Sequence, residues 1–189
     1  MPMKILINEK ENLITINKSK FLGIVKKVYT KEDIQKYLNY YQKEYFDATH
    51  LCYAYILDNE KRFSDDNEPS GTAGLPILNI LEKNNLNHCL AIVIRYFGGI
   101  KLGSNGLIRA YSNTINELVK ENIKEEENAY LLEITENYDK SKEIDYLLKD
   151  TIILSKDYQD KLVIQVLVKE KDLIHLSSIN YKIIEKRII

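Results

Sequence analysis

Three carboxylates fall within four positions at Asp65, Asp66 and Glu68, inside the run Phe63-Ser64-Asp65-Asp66-Asn67-Glu68-Pro69-Ser70-Gly71-Thr72-Ala73-Gly74. Such charges repel one another unless water, a divalent ion, an arginine or the N-terminus of a helix neutralises them. Clustered oxygens suit a hard cation, although this spacing is not that of an EF-hand loop. The plainer alternative is an exposed turn leading into a capped helix.

A second segment, Arg95-Tyr96-Phe97-Gly98-Gly99-Ile100-Lys101-Leu102-Gly103-Ser104-Asn105-Gly106, is rich in permissive backbone. Gly98 and Gly99 admit positive φ, and Gly103 and Gly106 allow a ligand or a second backbone to come close. Ser104 or Asn105 is placed to cap the following helix, whose dipole favours an anion. Free N–H groups together with Arg95, Lys101 and Arg109 would cradle a phosphate or carboxylate. The segment lacks the Gly-Lys-Ser/Thr of a Walker A loop and has no clear dinucleotide fingerprint. His50, which follows Asp47-Ala48-Thr49, is either an acid–base or pH-sensitive group or a satisfied structural histidine. His88 and His175 lie in plain polar stretches, no Cys/His spacing fits zinc, and there is no Gly-x-Ser-x-Gly elbow.

The elements that must hold these segments follow from periodicity. Strands are expected at Lys4–Ile7, Leu13–Ile16 and Phe21–Val28, with a turn over Asn8–Asn12. Thr30 and Asp33 form a capping box for a helix over Lys31–Glu44, whose inward stripe is Ile34, Tyr37, Leu38, Tyr41 and Tyr45. Strands at His50–Leu57 and Lys61–Ser64 precede a helix over about Ala73–Lys83. The continuous apolar run Leu90–Ile94 reads as a strand buried on both faces. Gly98–Asn105 reads as a loop, and Gly106–Glu121 as a helix with Leu107, Tyr111, Ile115 and Leu118 inward. Ile123–Asn128 is the expected linker. Beyond it come a strand at Tyr130–Thr135, a helix at Asp139–Lys149, and strands at Thr151–Ser155 and Leu162–Val168 joined through Tyr158-Gln159-Asp160. A helix at Lys171–Ser178 and a strand at Tyr181–Arg187 complete a β-α-β-β-α-β order, which is ferredoxin-like.

The chain's 189 residues suit one large domain or two small ones. Its net charge of −1 provides no global field to draw in nucleic acid or a membrane, so any such contact needs a local basic patch. Cys52 and Cys89 are too few for a disulfide framework and read as core thiols of a reducing compartment. With no secretory signal and no apolar stretch of membrane length, the expectation is a cytoplasmic protein without a membrane contact.

These motifs resemble the YigZ/IMPACT family. The matching blocks are Asp47-Ala48-Thr49-His50 with Tyr53-Ala54, the run Phe63–Gly74, Val93–Gly103, and Gly106-Leu107-Ile108-Arg109-Ala110-Tyr111. Asn67 and Asn105 stand where glycine is common in the family, a swap that left-handed turns tolerate. The resemblance implies an α+β protein built of two-layer α/β sandwiches. Its first domain, 1–126, would be of the ribosomal-protein or elongation-factor-domain-IV type, with helices on one face of the sheet. Its second, 128–189, would be ferredoxin-like and similar to domain V of those factors. It also implies translation-linked binding of RNA, the ribosome or a translation-related protein; no cofactor and no metal is expected.

Three readings of the site residues His50, Asp65, Asp66, Glu68, Arg95, Gly98, Gly99, Lys101, Gly103, Ser104, Gly106 and Arg109 follow. They line a partner-binding surface; or they form a small-anion or nucleotide sensor or enzyme; or the acidic block and glycine loop pack on each other, with Arg95 paired to Asp65 or Asp66. The sequence leaves the oligomeric state open.

Overall fold

The computed structural model describes residues 3–149, 151–158 and 160–189. The chain divides into two compact units, one ending at Glu125 and the other beginning at Glu126. The first unit contains strands β1 (Lys4–Leu6), β2 (Lys10–Ile16) and β3 (Ser19–Lys27), helix α1 (Lys31–Glu44), strands β4 (His50–Leu57) and β5 (Glu60–Ser64), helix α2 (Gly74–Lys83), strand β6 (Cys89–Tyr96), helix α3 (Gly103–Val119) and strand β7 (Ile123–Glu125). Five strands form an antiparallel sheet in the order β2-β3-β6-β4-β5.

The central strand β6 and its neighbour β4 are apolar at both parities, so both faces of the sheet need cover. On one face Cys52, Ala54, Ile56, Ala91 and Val93 pack with Ile77, Leu81, Leu107, Tyr111 and Ile115 from α2 and α3. On the other, Leu51, Tyr55, Leu90, Ile92 and Ile94 pack with Ile34, Leu38 and Tyr41 from α1. Helices therefore lie on both faces of this sheet, where the resemblance led us to expect one. Each fully buried Leu or Ile contributes about 1.5–3 kcal/mol. At Gly23 a Cβ would lie 2.5 Å from Thr114 Cγ2, so the missing side chain is what lets α3 settle against β3.

Helix α1 spans the predicted residues because its cap is local. The Thr30 hydroxyl accepts the Asp33 N–H at 3.1 Å, and the Asp33 carboxylate accepts the Thr30 N–H at 3.0 Å. Other boundaries differ from expectation. Strand β2 begins at Lys10, inside the predicted turn, because it pairs residue by residue with β3. Helix α3 begins at Gly103, so Gly103, Ser104 and Asn105 belong to its first turn and not to a loop. The predicted linker is also partly strand: Ile123–Glu125 is β7, paired antiparallel with β1.

The second unit contains β8 (Asn128–Glu136), a 3-10 turn at Tyr138–Lys140, α4 (Ser141–Leu147), β9 (Ile152–Tyr158), β10 (Leu162–Lys169), 3-10 turns over Glu170–Leu176, and β11 (Tyr181–Ile188). Its four antiparallel strands lie in the order β11-β8-β10-β9, which keeps the ferredoxin-like arrangement. The helix expected over Lys171–Ser178 is 3-10 in form. Leu132, Ile134, Ile144, Leu148, Leu162, Ile164 and Val166 form the core. The predicted turn through Gln159 lies partly outside the described residues.

Candidate functional site

One end of the five-stranded sheet collects the segments that carry the unusual residues. His50 opens β4 and pairs across the ladder with Arg95 near the end of β6, while Phe21 of β3 flanks Arg95 on its other side. Partners directly opposite on antiparallel strands project to the same face, and for these residues it is the face covered by α2 and α3. The loop after β5 carries the acidic block, and the loop after β6 carries the glycines.

Each carboxylate of the block has a separate internal partner. Asp65 is the cap of α2: its Oδ1 accepts N–H bonds from Gly74 at 2.8 Å and Ala73 at 3.1 Å, and its Oδ2 accepts one from Gly71 at 2.8 Å. Asp66 Oδ2 accepts the Leu51 N–H at 2.6 Å. Glu68 is buried, and its Oε1 receives Arg95 Nη1 at 2.5 Å and the Tyr111 hydroxyl at 2.7 Å. An arginine and a helix N-terminus thus neutralise the block. Among the described residues, no group of three or more His, Cys, Asp or Glu side chains is placed to hold a metal ion. The tight backbone comes from Asp66 at φ +40° and Asn67 at φ +64°, a conformation that Asn tolerates better than most residues. Behind it, a Cβ on Gly74 would lie 2.5 Å from the Ser64 carbonyl oxygen, so only glycine fits there.

Arg95 is 5 % exposed and lies among aromatic rings, its guanidinium carbon 5.3 Å from the Phe21 ring centre and 5.6 Å from that of Phe97. Its Nη2 reaches Ser19 Oγ at 3.4 Å, and the same oxygen accepts the Gly98 N–H at 3.1 Å. A continuous chain therefore runs from the acidic block to the glycine loop: Glu68, Arg95, Ser19, Gly98. A Cβ on Gly98 would lie 2.0 Å from the Lys18 carbonyl carbon, so the loop packs directly on the β2–β3 turn. A third segment joins through Thr49, whose N–H donates to Arg95 O at 2.9 Å and whose Oγ1 accepts the Phe97 N–H at 2.9 Å.

His50 is fixed by the acidic loop. Its Nδ1 lies 2.7 Å from the Asp66 carbonyl oxygen. A carbonyl only accepts, so Nδ1 carries the hydrogen, and Nε2 lies 3.9 Å from Glu68 Oε1. Burial pushes the Tyr111 phenol well above its ordinary pKa, with the neighbouring Cys52 and Glu68 adding to the shift. It therefore acts as a donor to Glu68. Burial also pushes the Cys52 and Cys89 thiols up to about 12, in keeping with inert core residues.

The remaining predicted residues divide in two. Gly98 is packed against backbone, whereas Gly99 at φ +84° and Gly103 at φ +71° have open space where a Cβ would be. Gly106 lies within α3, where a Cβ would lie 2.9 Å from Leu102 Cβ. Lys101, Ser104 and Arg109 are exposed and stand outside the buried network. Several expectations are corrected. Arg95 pairs with Glu68 and not with Asp65 or Asp66, because the amides of Gly71, Ala73 and Gly74 already occupy Asp65 and that of Leu51 occupies Asp66. Its charge is thereby committed inward, not to an anion cradle with Lys101 and Arg109. Neither Ser104 nor Asn105 caps α3; Leu102 holds the N-cap position without a side-chain bond. His88 is buried, 5.4 Å from the Tyr29 ring in centroid distance and 3.5 Å from Asp58 Oδ1, and does not lie in plain polar surroundings. Sequence reasoning missed Tyr111 and Ser19 as members of the site. Tyr111 looked like an ordinary core residue on a helix stripe, and Ser19 carries no local signal.

Comparison with known proteins gives a consistent picture. The Impact N-terminal domain family matches residues 17–119. The chain is 35% identical over 168 residues to the IMPACT family member YvyE of Bacillus subtilis, covering 86% of this chain and 77% of that protein. It is 32% identical over 160 residues to the IMPACT family member YigZ of Escherichia coli, covering 80% and 78%. A crystal structure described as that of a hypothetical protein superposes with a TM-score of 0.64 at 27% identity, covering 98% of each chain. Among the described residues, no helix is long and apolar enough to cross a membrane.

Proposed function

The chain belongs to the IMPACT family, and on that premise we propose that it is a translation-linked binding protein whose partner, be it RNA, the ribosome or a translation factor, docks on the loop end of the first unit's sheet. One observation carries this reading. The Glu68–Arg95–Ser19–Gly98 chain and the Thr49 bonds fix three loops to one another from beneath, while Phe46, Phe97, Ile100 and Lys101 on those loops stay exposed. Binding surfaces gain from loops held on a rigid scaffold, because less entropy is lost when the partner arrives.

The same bonds weigh against catalysis by the acidic block. Asp65 and Asp66 are occupied by backbone amides and Glu68 by Arg95 and Tyr111, so none is free to move a substrate proton. The experiment is co-sedimentation of the purified chain with purified bacterial ribosomes across a salt series. The expected result is association at low salt that weakens as salt rises, and that weakens further in Lys101→Ala. A chain that stays in the supernatant at every salt concentration overturns the reading.

A further inference from the structure

The loop end has a chemical character that the family reading does not specify. Phe46 is 84% exposed and Phe97 is 46% exposed. Both belong to the same end of the sheet, because the turn carrying Phe46 is bonded to the strand that leads into Phe97. Tyr96 Oη donates to Asp47 at 2.9 Å, and Phe97 N–H donates to Thr49. The same end of the sheet carries Lys18, Lys20 and Lys101, all exposed and without a carboxylate partner among the described residues. Lys18 lies where Gly98 packs on the β2–β3 turn, and Lys20 pairs with Tyr96 in the ladder.

Nearby negative charge is largely committed elsewhere. Asp65, Asp66 and Glu68 hold internal partners, which leaves Asp47, bonded to Tyr96, and Glu44, two residues before Phe46, as exposed acids of this end among the described residues. Gly99 has open space on the side where a side chain would stand, so a flat or anionic group can approach its backbone. Exposed rings flanked by unpaired ammonium groups match a polyanion that carries π faces.

We propose that this end binds a single strand of nucleic acid, with bases stacking on Phe97 and Phe46 and phosphates meeting Lys18, Lys20 and Lys101. The proposal rests on the binding reading above and names the partner chemistry of the same surface. The net charge of −1 limits non-specific attraction, so binding is local and its salt dependence reports the few lysines involved.

The test uses the full chain and fluorescence polarisation with labelled twelve-nucleotide RNA and DNA strands of mixed sequence. Wild type is expected to bind, and the ratio of RNA to DNA affinity identifies the sugar it prefers. Phe97→Ala is expected to weaken binding roughly 5- to 150-fold, the range for loss of one stacked base. Phe46→Ala, at a largely exposed ring, serves as the second variant should Phe97→Ala disturb the Arg95 stack; circular dichroism reports whether it does. Lys18→Ala/Lys101→Ala is expected to reduce the slope of log affinity against log salt by about 1.4, roughly 0.7 for each lost phosphate contact. No binding of either strand, or variants that bind like wild type, overturns the proposal. If ribosomes still bring the chain down while free strands do not bind, only this inference falls. Loss of both removes the binding reading as well.

Discussion

Replacing Arg95 by alanine would remove the guanidinium bonded to the buried Glu68 carboxylate. The two side chains are 6% and 3% exposed, so water cannot substitute for the lost partner without rearrangement. Breaking such a buried pair from one side costs about 3–5 kcal/mol, because a charge is left uncompensated. Loss of the Phe21 and Phe97 stacks adds about 0.5–1 kcal/mol for each ring. Glu68→Gln keeps the shape and the Tyr111 bond but leaves the arginine buried opposite a neutral group. Its cost should be smaller, about 1.5–3 kcal/mol, the worth of a hydrogen bond to a charged group. Urea denaturation followed by circular dichroism measures both, with the second unit's transition assigned from its own signal. For a unit of this size, the alanine variant should melt about 10–20 °C lower. The double variant Glu68→Leu/Arg95→Leu should lose less than the two single variants summed, since both charges leave together. An alanine variant within about 1 kcal/mol of wild type would falsify the buried pairing.

Further expectations follow from the same geometry. Asp65→Ala removes the acceptor of three backbone amides at the start of α2 and should cost about 2 kcal/mol or slightly more, above the usual loss of a single cap; Asp65→Asn should recover part of it, as read by urea midpoints. Gly98→Ala should be far more damaging than Gly99→Ala. The first drives a Cβ into the Lys18 backbone and exceeds the about 1–3 kcal/mol typical of overpacking, while the second meets open space and costs only the left-handed penalty of about 1–2 kcal/mol. The thiols of Cys52 and Cys89, raised to about 12 by burial, should resist a thiol reagent at pH 8 until urea unfolds the chain. In stability terms, their folded pKa lies above the unfolded one. Their contribution is therefore whole below about pH 8.5 and is lost as pH rises toward 12. A urea midpoint that does not move between pH 8 and pH 11 would contradict this.

What the sequence disclosed depended on how local each cause was. Helix α1 was legible residue for residue because Thr30 and Asp33 lie three apart and make the cap themselves. The β-α-β-β-α-β order of the second unit was legible because apolar periodicity repeats within each element. Helix α3 was read three residues short, since Gly103 usually marks a loop and its entry into the helix is decided by packing elsewhere. Residues 123–125 looked like a linker because their strand partner, β1, lies more than a hundred residues away. The acidic block announced a need for neutralisation. Which carboxylate took Arg95 was decided by the amides of Gly71, Ala73 and Gly74 turning toward Asp65, a three-dimensional fact with no sequence signature. Tyr111 was hidden in plain sight on an apolar stripe, because only its hydroxyl, and not its ring, takes part in the network.

Residue-by-residue amide hydrogen exchange in wild type and Glu68→Gln gives the most direct test that the acidic block and the glycine loop are one mechanical unit. If they are, the substitution speeds exchange at Gly71 and Gly74 and, through Arg95, Ser19 and Thr49, at Phe97 and Gly98 too, while β10 in the second unit keeps its wild-type protection. Faster exchange confined to the loop that carries Glu68, with Phe97 and Gly98 unchanged, would mean that the two segments are merely neighbours.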